Sequence, residues 1–194
     1  MTKSELRSIY LAERCGITPD DTSRKTASIA EKLFTEIDFA SVRKLHCFIS
    51  IPSKAEVDTT IIFRRLWKDL SSIKTYAPVM NETTGEIDAI EYTSSTNLET
   101  NKWGINEPVD SEIVDPASID LVIVPLLCFD KRGHRVGYGK GYYDRFLKKC
   151  RPDCIKAGVS FFPPVDQIDD VHDGDIPLDV CFSADEIYRF EESI

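Results

Sequence analysis

The sequence lacks any long hydrophobic run. Its longest stretches without a charged side chain, such as residues 121–129, are nine residues long, whereas a membrane-spanning helix needs roughly 18 apolar residues. The first 16 residues also lack the apolar core of a secretory signal, and Glu5 and Glu13 are atypical of an organelle transit peptide. We therefore expect a soluble, cytoplasmic protein that does not contact the membrane.

Low-complexity segments, internal repeats and linkers rich in Pro, Gly or Ser are also missing. Hydrophobic residues make up 42% and charged residues 29% of the 194 residues, close to the globular average, which excludes disordered and fibrous classes. We therefore expect one domain spanning residues 1–194. Six cysteines could form three disulfides, but without secretion we favour free thiols, and the Cys150–Cys154 spacing lacks the second pair of ligands that a zinc site needs.

Positive charge is scarce overall but concentrated in one segment. The net charge of −9 disfavours a nucleic-acid partner. Residues 131–151, however, hold eight basic residues and one acidic residue, which gives +7 there and −16 in the remainder. This concentration is typical of a pocket for a small multiply charged anion, although a solvated basic helix face has the same composition.

Hydrophobic periodicity indicates alternating helices and strands. Thr18 followed by Pro19 predicts the capped start of a helix, and short β-rich apolar runs predict buried parallel strands. The alternation predicts an α/β domain with three layers, α/β/α, and a mainly parallel sheet. The predicted helices are 3–14, 19–36, 57–70 (with Ile61, Ile62, Leu66 and Leu70 inward) and 139–150, and the predicted strands are 45–51, 74–80, 86–92, 119–127, 155–161 and 180–183.

Several familiar catalytic motifs are absent. The sequence has no Walker A string, no dinucleotide fingerprint, no G-x-S-x-G and no H-E-x-x-H. Instead, four glycines (Gly133, Gly137, Gly139 and Gly141) separate the strongest strand from a helix. Backbone amides at such a junction can bind phosphate oxygens, and Arg135 and Lys140 would add full charges. A tight strand-to-helix connection would use the same glycines, so the pattern alone leaves both interpretations open.

The helix after the glycines contains a tyrosine pair and one carboxylate. Tyr143 falls on the stripe that is expected to pack on the sheet, so Tyr142 is the tyrosine expected to face a ligand. Asp144 lies four residues from both Lys140 and Lys148, a spacing that favours helix salt bridges. The alternative role is a Mg²⁺ ligand beside bound phosphates.

Residues 125–147, PLLCFDKRGHRVGYGKGYYDRFL, resemble the signature of the 5-formyltetrahydrofolate cyclo-ligase family. Four further pieces follow the family's order along the chain: KSELR, SIPSKAEVDT, WGINEP and HDGDIPLDV. Three positions depart from the family pattern: Leu126 where Gly is common, Tyr138 where Arg is frequent, and Ser183 where Thr is common.

The resemblance implies a fold similar to the sugar-phosphate isomerase and CoA-transferase type. It also implies conversion of 5-formyltetrahydrofolate to 5,10-methenyltetrahydrofolate with ATP and Mg²⁺. In that reaction the N5-formyl oxygen is phosphorylated, N10 attacks, and ADP and phosphate are released. The expected partner is a small molecule, the folate with or without a polyglutamate tail, and the expected state is a monomer. A non-catalytic folate- or nucleotide-binding module and a sugar-phosphate isomerase are the alternatives.

The resemblance also implies roles for individual residues, with Lys140 and Arg135 as the catalytic pair. Glu56 could instead be an acid favoured by a helix N-terminus, and Trp103 could be a core tryptophan. The implied ATP-binding residues are Lys3, Arg7, Arg135, Gly137, Tyr138, Gly139, Lys140, Gly141, Tyr142 and Tyr143. The implied folate-binding residues are Ile51, Glu56, Trp103, Tyr138, Gly139, Lys140, Gly141 and Tyr142, and the implied metal ligands are Asp144 and Asp179.

Overall fold

The computed structural model describes residues 1–101, 104–109 and 112–190. Within these ranges, the α-helices are α1 (Lys3–Cys15), α2 (Pro19–Glu36), α3 (Thr60–Asp69) and α4 (Tyr142–Leu147). The β-strands are β1 (Lys44–Cys47), β2 (Lys74–Asn81), β3 (Glu86–Glu91), β4 (Leu98–Thr100), β5 (Asn106–Pro108), β6 (Ile113–Val114), β7 (Leu121–Pro125), β8 (Cys128–Phe129), β9 (Arg135–Val136), β10 (Ile155–Ser160), β11 (Val180–Ser183) and β12 (Ile187–Arg189).

Eight strands form one sheet in the order β12-β11-β10-β7-β1-β2-β3-β6. The central strands β11, β10, β7, β1 and β2 are parallel, while β12, β3 and β6 are antiparallel at the edges. The central strand β7 is buried on both faces, as parallel strands between two helix layers must be. Leu33 of α2 and Leu66 of α3 pack on one face, and Phe146 of α4 packs on the other. The predicted three-layer α/β fold is confirmed.

Local capping signals set the first two helices. The Thr18 hydroxyl accepts a hydrogen bond from the Asp21 backbone N–H at 3.2 Å, so α2 begins at Pro19 as predicted. Thr2 and Glu5 form a capping box at the start of α1. No helix of the described residues is long and apolar enough to cross a membrane, and the six cysteines are free.

Two helices differ from their predictions. The prediction of a helix over 139–150 was wrong in its length, because Gly139 and Gly141 have φ angles of 90° and 66°, which an α-helix does not accept. The third helix starts at Thr60 rather than at 57. Ile61, expected to face inward, is 39% exposed, since Ile62 and Phe63 occupy the buried face.

The carboxyl ends of the parallel strands position the loops of interest. Residues 48–59 follow β1, and residues 126–141 follow its neighbour β7, so both segments leave the same edge of the sheet. The second segment contains the β8–β9 ribbon and the loop 137–141, here called the glycine loop. Helix α1 lies against the ribbon, where Leu6 packs with Cys128 and Val136. Three distant parts of the chain therefore meet at this edge.

Candidate functional site

The glycine loop and helix α1 are in direct contact. Arg7 Nε donates a hydrogen bond to the Gly137 carbonyl at 2.9 Å. A Cβ atom added to Gly139 would lie 3.0 Å from Arg7 Cζ, so the missing side chain lets the guanidinium approach the backbone. The structure thus brings together Arg7, Gly137 and Gly139, three residues of the predicted ATP-binding set.

Lys140, at the tip of the glycine loop, is exposed. Its ammonium forms no hydrogen bond or ion pair with the described residues. The loop itself is held by Arg145, whose Nη1 donates to the Lys140 carbonyl at 3.0 Å and whose Nη2 donates to the Gly85 carbonyl at 3.2 Å. The Arg145 guanidinium also lies 5.2 Å from the centre of the Tyr142 ring. The loop therefore presents a positive charge that no neighbouring group neutralises.

Arg135, in contrast, is only 6% exposed and is bound to protein groups. Its Nη2 contacts Asp144 Oδ1 at 2.8 Å, and its Nη1 donates to the Ile176 carbonyl. The Ile176 backbone N–H donates to the same Asp144 oxygen at 3.1 Å. This arrangement makes Arg135 a residue that orients Asp144, rather than an open phosphate contact.

A second carboxylate, Asp175, lies beside this network. Lys3 Nζ forms an ion pair with Asp175 Oδ2, and the His172 N–H donates to the same oxygen at 2.9 Å. Burial alone would raise the pKa of Asp175, but the hydrogen bonds from Lys3 and His172 lower it below its ordinary value. The sequence interpretation missed this residue. The signal was the piece HDGDIPLDV, which contains three aspartates. Their spacing does not indicate which of the three lies at the site.

The two predicted metal ligands have different partners. Asp179 immediately precedes β11 and accepts a hydrogen bond from the Lys156 backbone N–H at 2.6 Å, while Lys156 Nζ lies 3.0 Å away. Lys156 is near the start of β10, so Asp179 lies at the amino end of the parallel strands. No contact in the described residues joins it to Asp144, and no cluster of three or more His, Cys, Asp or Glu side chains there is arranged to hold a metal.

The residues implied for the folate also meet. Glu56 is 7% exposed; its Oε2 accepts a hydrogen bond from the Ile51 N–H at 2.8 Å, and its Oε1 accepts one from the Tyr138 hydroxyl at 2.7 Å. Burial raises the pKa of Glu56, although these two hydrogen bonds and the charge of Arg14 oppose the rise. Because Tyr138 belongs to the glycine loop, this carboxylate adjoins the predicted nucleotide site.

Arg14, which the sequence interpretation did not single out, is also part of this cluster. It is 3% exposed, its Nη1 lies 3.3 Å from the Tyr138 hydroxyl, and its Nη2 donates to the Leu126 carbonyl. Leu6, Tyr10 and Arg14 follow one another at four-residue spacing along α1. A charged residue on the apolar face of an amphipathic helix was therefore the signal that could have identified it.

Both tyrosines of the pair pack against the core, so the expectation that Tyr142 faces a ligand stays a prediction. Tyr143 packs on the sheet, as predicted. Its ring centre lies 6.0 Å from that of His46 and 6.3 Å from that of Phe146. Burial raises the pKa of Tyr143, and burial lowers the pKa of His46 to about 3, which keeps that imidazole neutral. The Tyr143 hydroxyl is buried without a partner among the described residues. Trp103 lies outside the described residues, so its role stays a prediction.

Comparison with known proteins identifies the family of the chain. A model of the 5-formyltetrahydrofolate cyclo-ligase family matches residues 1–180. The chain is 30% identical over 138 residues to 5-formyltetrahydrofolate cyclo-ligase of Escherichia coli, covering 70% of this chain and 74% of that protein. It is 28% identical over 155 residues to the Mus musculus protein of the same name, covering 76% and 70%. The NMR structure of Aquifex aeolicus 5,10-methenyltetrahydrofolate synthetase is similar with a TM-score of 0.78 and 30% identity, covering 100% of this chain and 95% of that one. The chain belongs to the 5-formyltetrahydrofolate cyclo-ligase family.

Proposed function

We propose that this protein catalyses the ATP-dependent conversion of 5-formyltetrahydrofolate to 5,10-methenyltetrahydrofolate, with release of ADP and phosphate. One observation carries the proposal: the five-residue glycine loop contacts two groups of side chains, here called the nucleotide end and the folate end of the site. Arg7 and Lys140 place positive charge beside the loop backbone. Tyr138 of the same loop contacts the buried Glu56 carboxylate. A polyanion and a hydrogen-bonding heterocycle can therefore bind side by side.

At the nucleotide end, the chain supplies charge and backbone donors. When bound, ATP supplies the phosphoryl group that makes the N5-formyl oxygen a leaving group. Lys140 is the group proposed to bind the transferred phosphoryl group, because its ammonium has no partner among residues 1–101, 104–109 and 112–190. Arg7 holds the loop and adds a second charge. Phosphoryl transfer needs positioning and neutralisation of charge more than a covalent nucleophile, and this site supplies both.

Asp144 has the free oxygen that a magnesium ion needs. Its Oδ1 is bound to Arg135 and to the Ile176 N–H, whereas its Oδ2 accepts no hydrogen bond from the described residues. Mg²⁺ is commonly held by one or two carboxylates together with phosphate oxygens, so Asp144 fits that role. Both alternatives for a second carboxylate are paired with a lysine, Asp175 with Lys3 and Asp179 with Lys156. We favour Asp175, because it adjoins Arg135, which contacts Asp144, while Asp179 lies at the amino end of the parallel strands.

At the folate end, Glu56 is proposed to accept hydrogen bonds from the N–H groups of the reduced pterin. Its orientation is fixed by the Ile51 N–H and the Tyr138 hydroxyl. Tyr142, at the start of α4, is proposed to face the junction between the two ligands, and Trp103 to border the pterin. A folate with or without a polyglutamate tail, a monomeric state and a cytoplasmic location belong to the same proposal.

One assay tests the function directly: formation of the methenyl chromophore from 5-formyltetrahydrofolate, with and without ATP and Mg²⁺. We expect product only when both are present. Tight binding of folate or ATP without turnover would instead indicate a non-catalytic binding module. Isomerisation of a sugar phosphate without ATP would indicate an isomerase.

A further inference from the structure

Arg14 is a buried cation without a carboxylate directly against it. Of its nitrogen atoms, Nη1 contacts the Tyr138 hydroxyl, Nη2 contacts the Leu126 carbonyl, and Nε is buried without a partner among the described residues. Burying a guanidinium is costly unless an anion lies close enough to compensate for the lost hydration. The anion that faces Arg14 across the Tyr138 hydroxyl is the carboxylate of Glu56.

The hydroxyl between these two charges has a defined direction. A tyrosine hydroxyl has one proton to donate and lone pairs with which to accept. Because arginine can only donate and a carboxylate can only accept, Tyr138 accepts from Arg14 Nη1 at 3.3 Å and donates to Glu56 Oε1 at 2.7 Å. The opposite oxygen of Glu56 is held by the Ile51 N–H at 2.8 Å. Both oxygens of the carboxylate are therefore fixed, one of them through a hydroxyl that a cation polarises.

We propose that Arg14 is a positioning residue of the folate site, which acts through the Tyr138 hydroxyl to keep the Glu56 carboxylate charged and oriented toward the pterin. This inference rests on the proposed function. At position 138, where arginine is frequent in the family, this chain has a tyrosine, and the guanidinium beside its hydroxyl belongs to residue 14 of helix α1. The affinity for folate should then depend on Arg14, and the affinity for ATP should not.

Helix α1 has other anchors, so a role in folate binding can be separated from a role in folding. The capping box of Thr2 and Glu5 starts the helix, and Leu6 packs with Cys128 and Val136. The groups that face Glu56 are Tyr138, the Ile51 N–H, the charges of Arg14 and Lys54, and Tyr143 from α4. Removing Arg14 leaves Lys54 as the remaining cation of this group.

The test compares Arg14→Leu, Tyr138→Phe and the double variant Arg14→Leu/Tyr138→Arg with wild type. Arg24→Leu is the control, because Arg24 is exposed and paired only with Asp21. We expect each single variant to raise the KM for 5-formyltetrahydrofolate on the order of tenfold, the size of one lost charge-assisted hydrogen bond, with the KM for ATP unchanged. The double variant should return toward the wild-type value, because a guanidinium on residue 138 reaches Glu56 directly.

The pH profile gives a second readout that a purely structural role would not change. Without the cation, the Glu56 carboxylate is harder to ionise, so the acid limb of kcat/KM for folate should move to higher pH in Arg14→Leu and return in the double variant. Equal rises in both KM values, an unrescued double variant, or a Tyr138→Phe enzyme with wild-type folate KM would each overturn the inference. A wild-type enzyme that forms no methenyl product would overturn the proposed function instead.

Discussion

The two ends of the site use charge in opposite ways. At the nucleotide end, Lys140 is exposed and has no partner in the part of the chain that the structure describes. At the folate end, Arg14 and Glu56 are buried, and the Tyr138 hydroxyl joins them. A solvated cation attracts a polyanion over a distance but does little to orient it, since water and salt screen its field. A buried, hydrogen-bonded carboxylate acts only at contact and discriminates between donors.

The comparison explains why one short loop can serve two substrates. The nucleotide carries several negative charges and can be held by electrostatic attraction, whereas the pterin is recognised by the pattern of its hydrogen-bonding groups. One loop contacts both ends of the site, because Gly137 is bonded to Arg7 and Tyr138 is bonded to Glu56. Substitutions on either side should therefore affect different kinetic constants.

The largest effect is expected at the exposed end. Lys140→Ala should lower turnover at saturating ATP on the order of 10²-fold, because the positive charge proposed to bind the transferred phosphoryl group is lost. The rate of methenyl formation measures this effect. Lys131→Ala is the matched control, since Lys131 is also an exposed lysine and pairs with Asp166. Full activity of the Lys140 variant would mean that the triphosphate binds elsewhere.

A comparable loss is expected when the proposed metal carboxylate is changed. Asp144→Asn should lower turnover on the order of 10²-fold and raise the Mg²⁺ concentration needed for half-maximal rate. Asp175→Asn should raise the same Mg²⁺ requirement. Asp179→Asn should leave it unchanged and reduce only the stability of the fold, because the ion pair between Asp179 and Lys156 is lost. A titration of rate against Mg²⁺ distinguishes the carboxylates. A raised requirement in the Asp179 variant alone would reverse the assignment.

A smaller effect is expected from the loop backbone. Gly139→Ala places a Cβ atom 3.0 Å from Arg7 Cζ at a φ of 90°, which should cost about 1–3 kcal/mol of stability and raise the KM for ATP on the order of tenfold. Gly137→Ala is the control, because no atom lies within 4 Å of a Cβ added there. Chemical denaturation and ATP kinetics measure the two consequences. Equal behaviour of the two variants would show that the contact with Arg7 is unimportant.

The smallest effect concerns stability at the buried end. The folded state raises the pKa of Glu56 above its ordinary value of 4.5, so the folded protein holds this proton more tightly than the unfolded chain. Stability is therefore lost as pH rises from the ordinary pKa through the raised one. Between pH 4.5 and pH 7 the melting temperature of wild type should therefore fall relative to that of Glu56→Gln, whose side chain does not titrate. The absolute offset between the two proteins also contains the loss of the anion that faces Arg14, so the pH dependence is the readout. Parallel melting curves for the two proteins across this range would contradict the burial penalty.

Local chemistry made much of the fold predictable from the sequence. Thr18 and Pro19 define the start of α2, and the apolar run that contains β7 identifies the centre of the sheet. The glycines between β7 and α4 mark the loop that contains Tyr138 and contacts Arg7. Each of these signals depends on residues close together in the chain, and patterns of that kind are visible without a structure.

The contacts that the sequence does not reveal are those between residues distant in the chain. Arg135 belongs to a basic segment that the sequence predicts to be accessible to an anion. In the structure its guanidinium pairs with Asp144 and donates to the Ile176 carbonyl. Arg14 lies near the end of a helix in the sequence, but its partners Leu126 and Tyr138 lie in the segment that follows β7. The choice between Asp175 and Asp179 depends on which end of the strands each occupies. The hydrophobic periodicity of a sequence does not indicate which distant side chains will be in contact.

The contacts of α1 also constrain when the ligand sites can form during synthesis. This helix binds Leu126, Gly137 and Asp175, which lie 112, 130 and 172 residues further along the chain from Arg14, Arg7 and Lys3. A nascent chain that has not reached these residues holds the three cations without these partners. Ligand binding, and any protection it gives against proteolysis, therefore begins only after residue 175 has been synthesised.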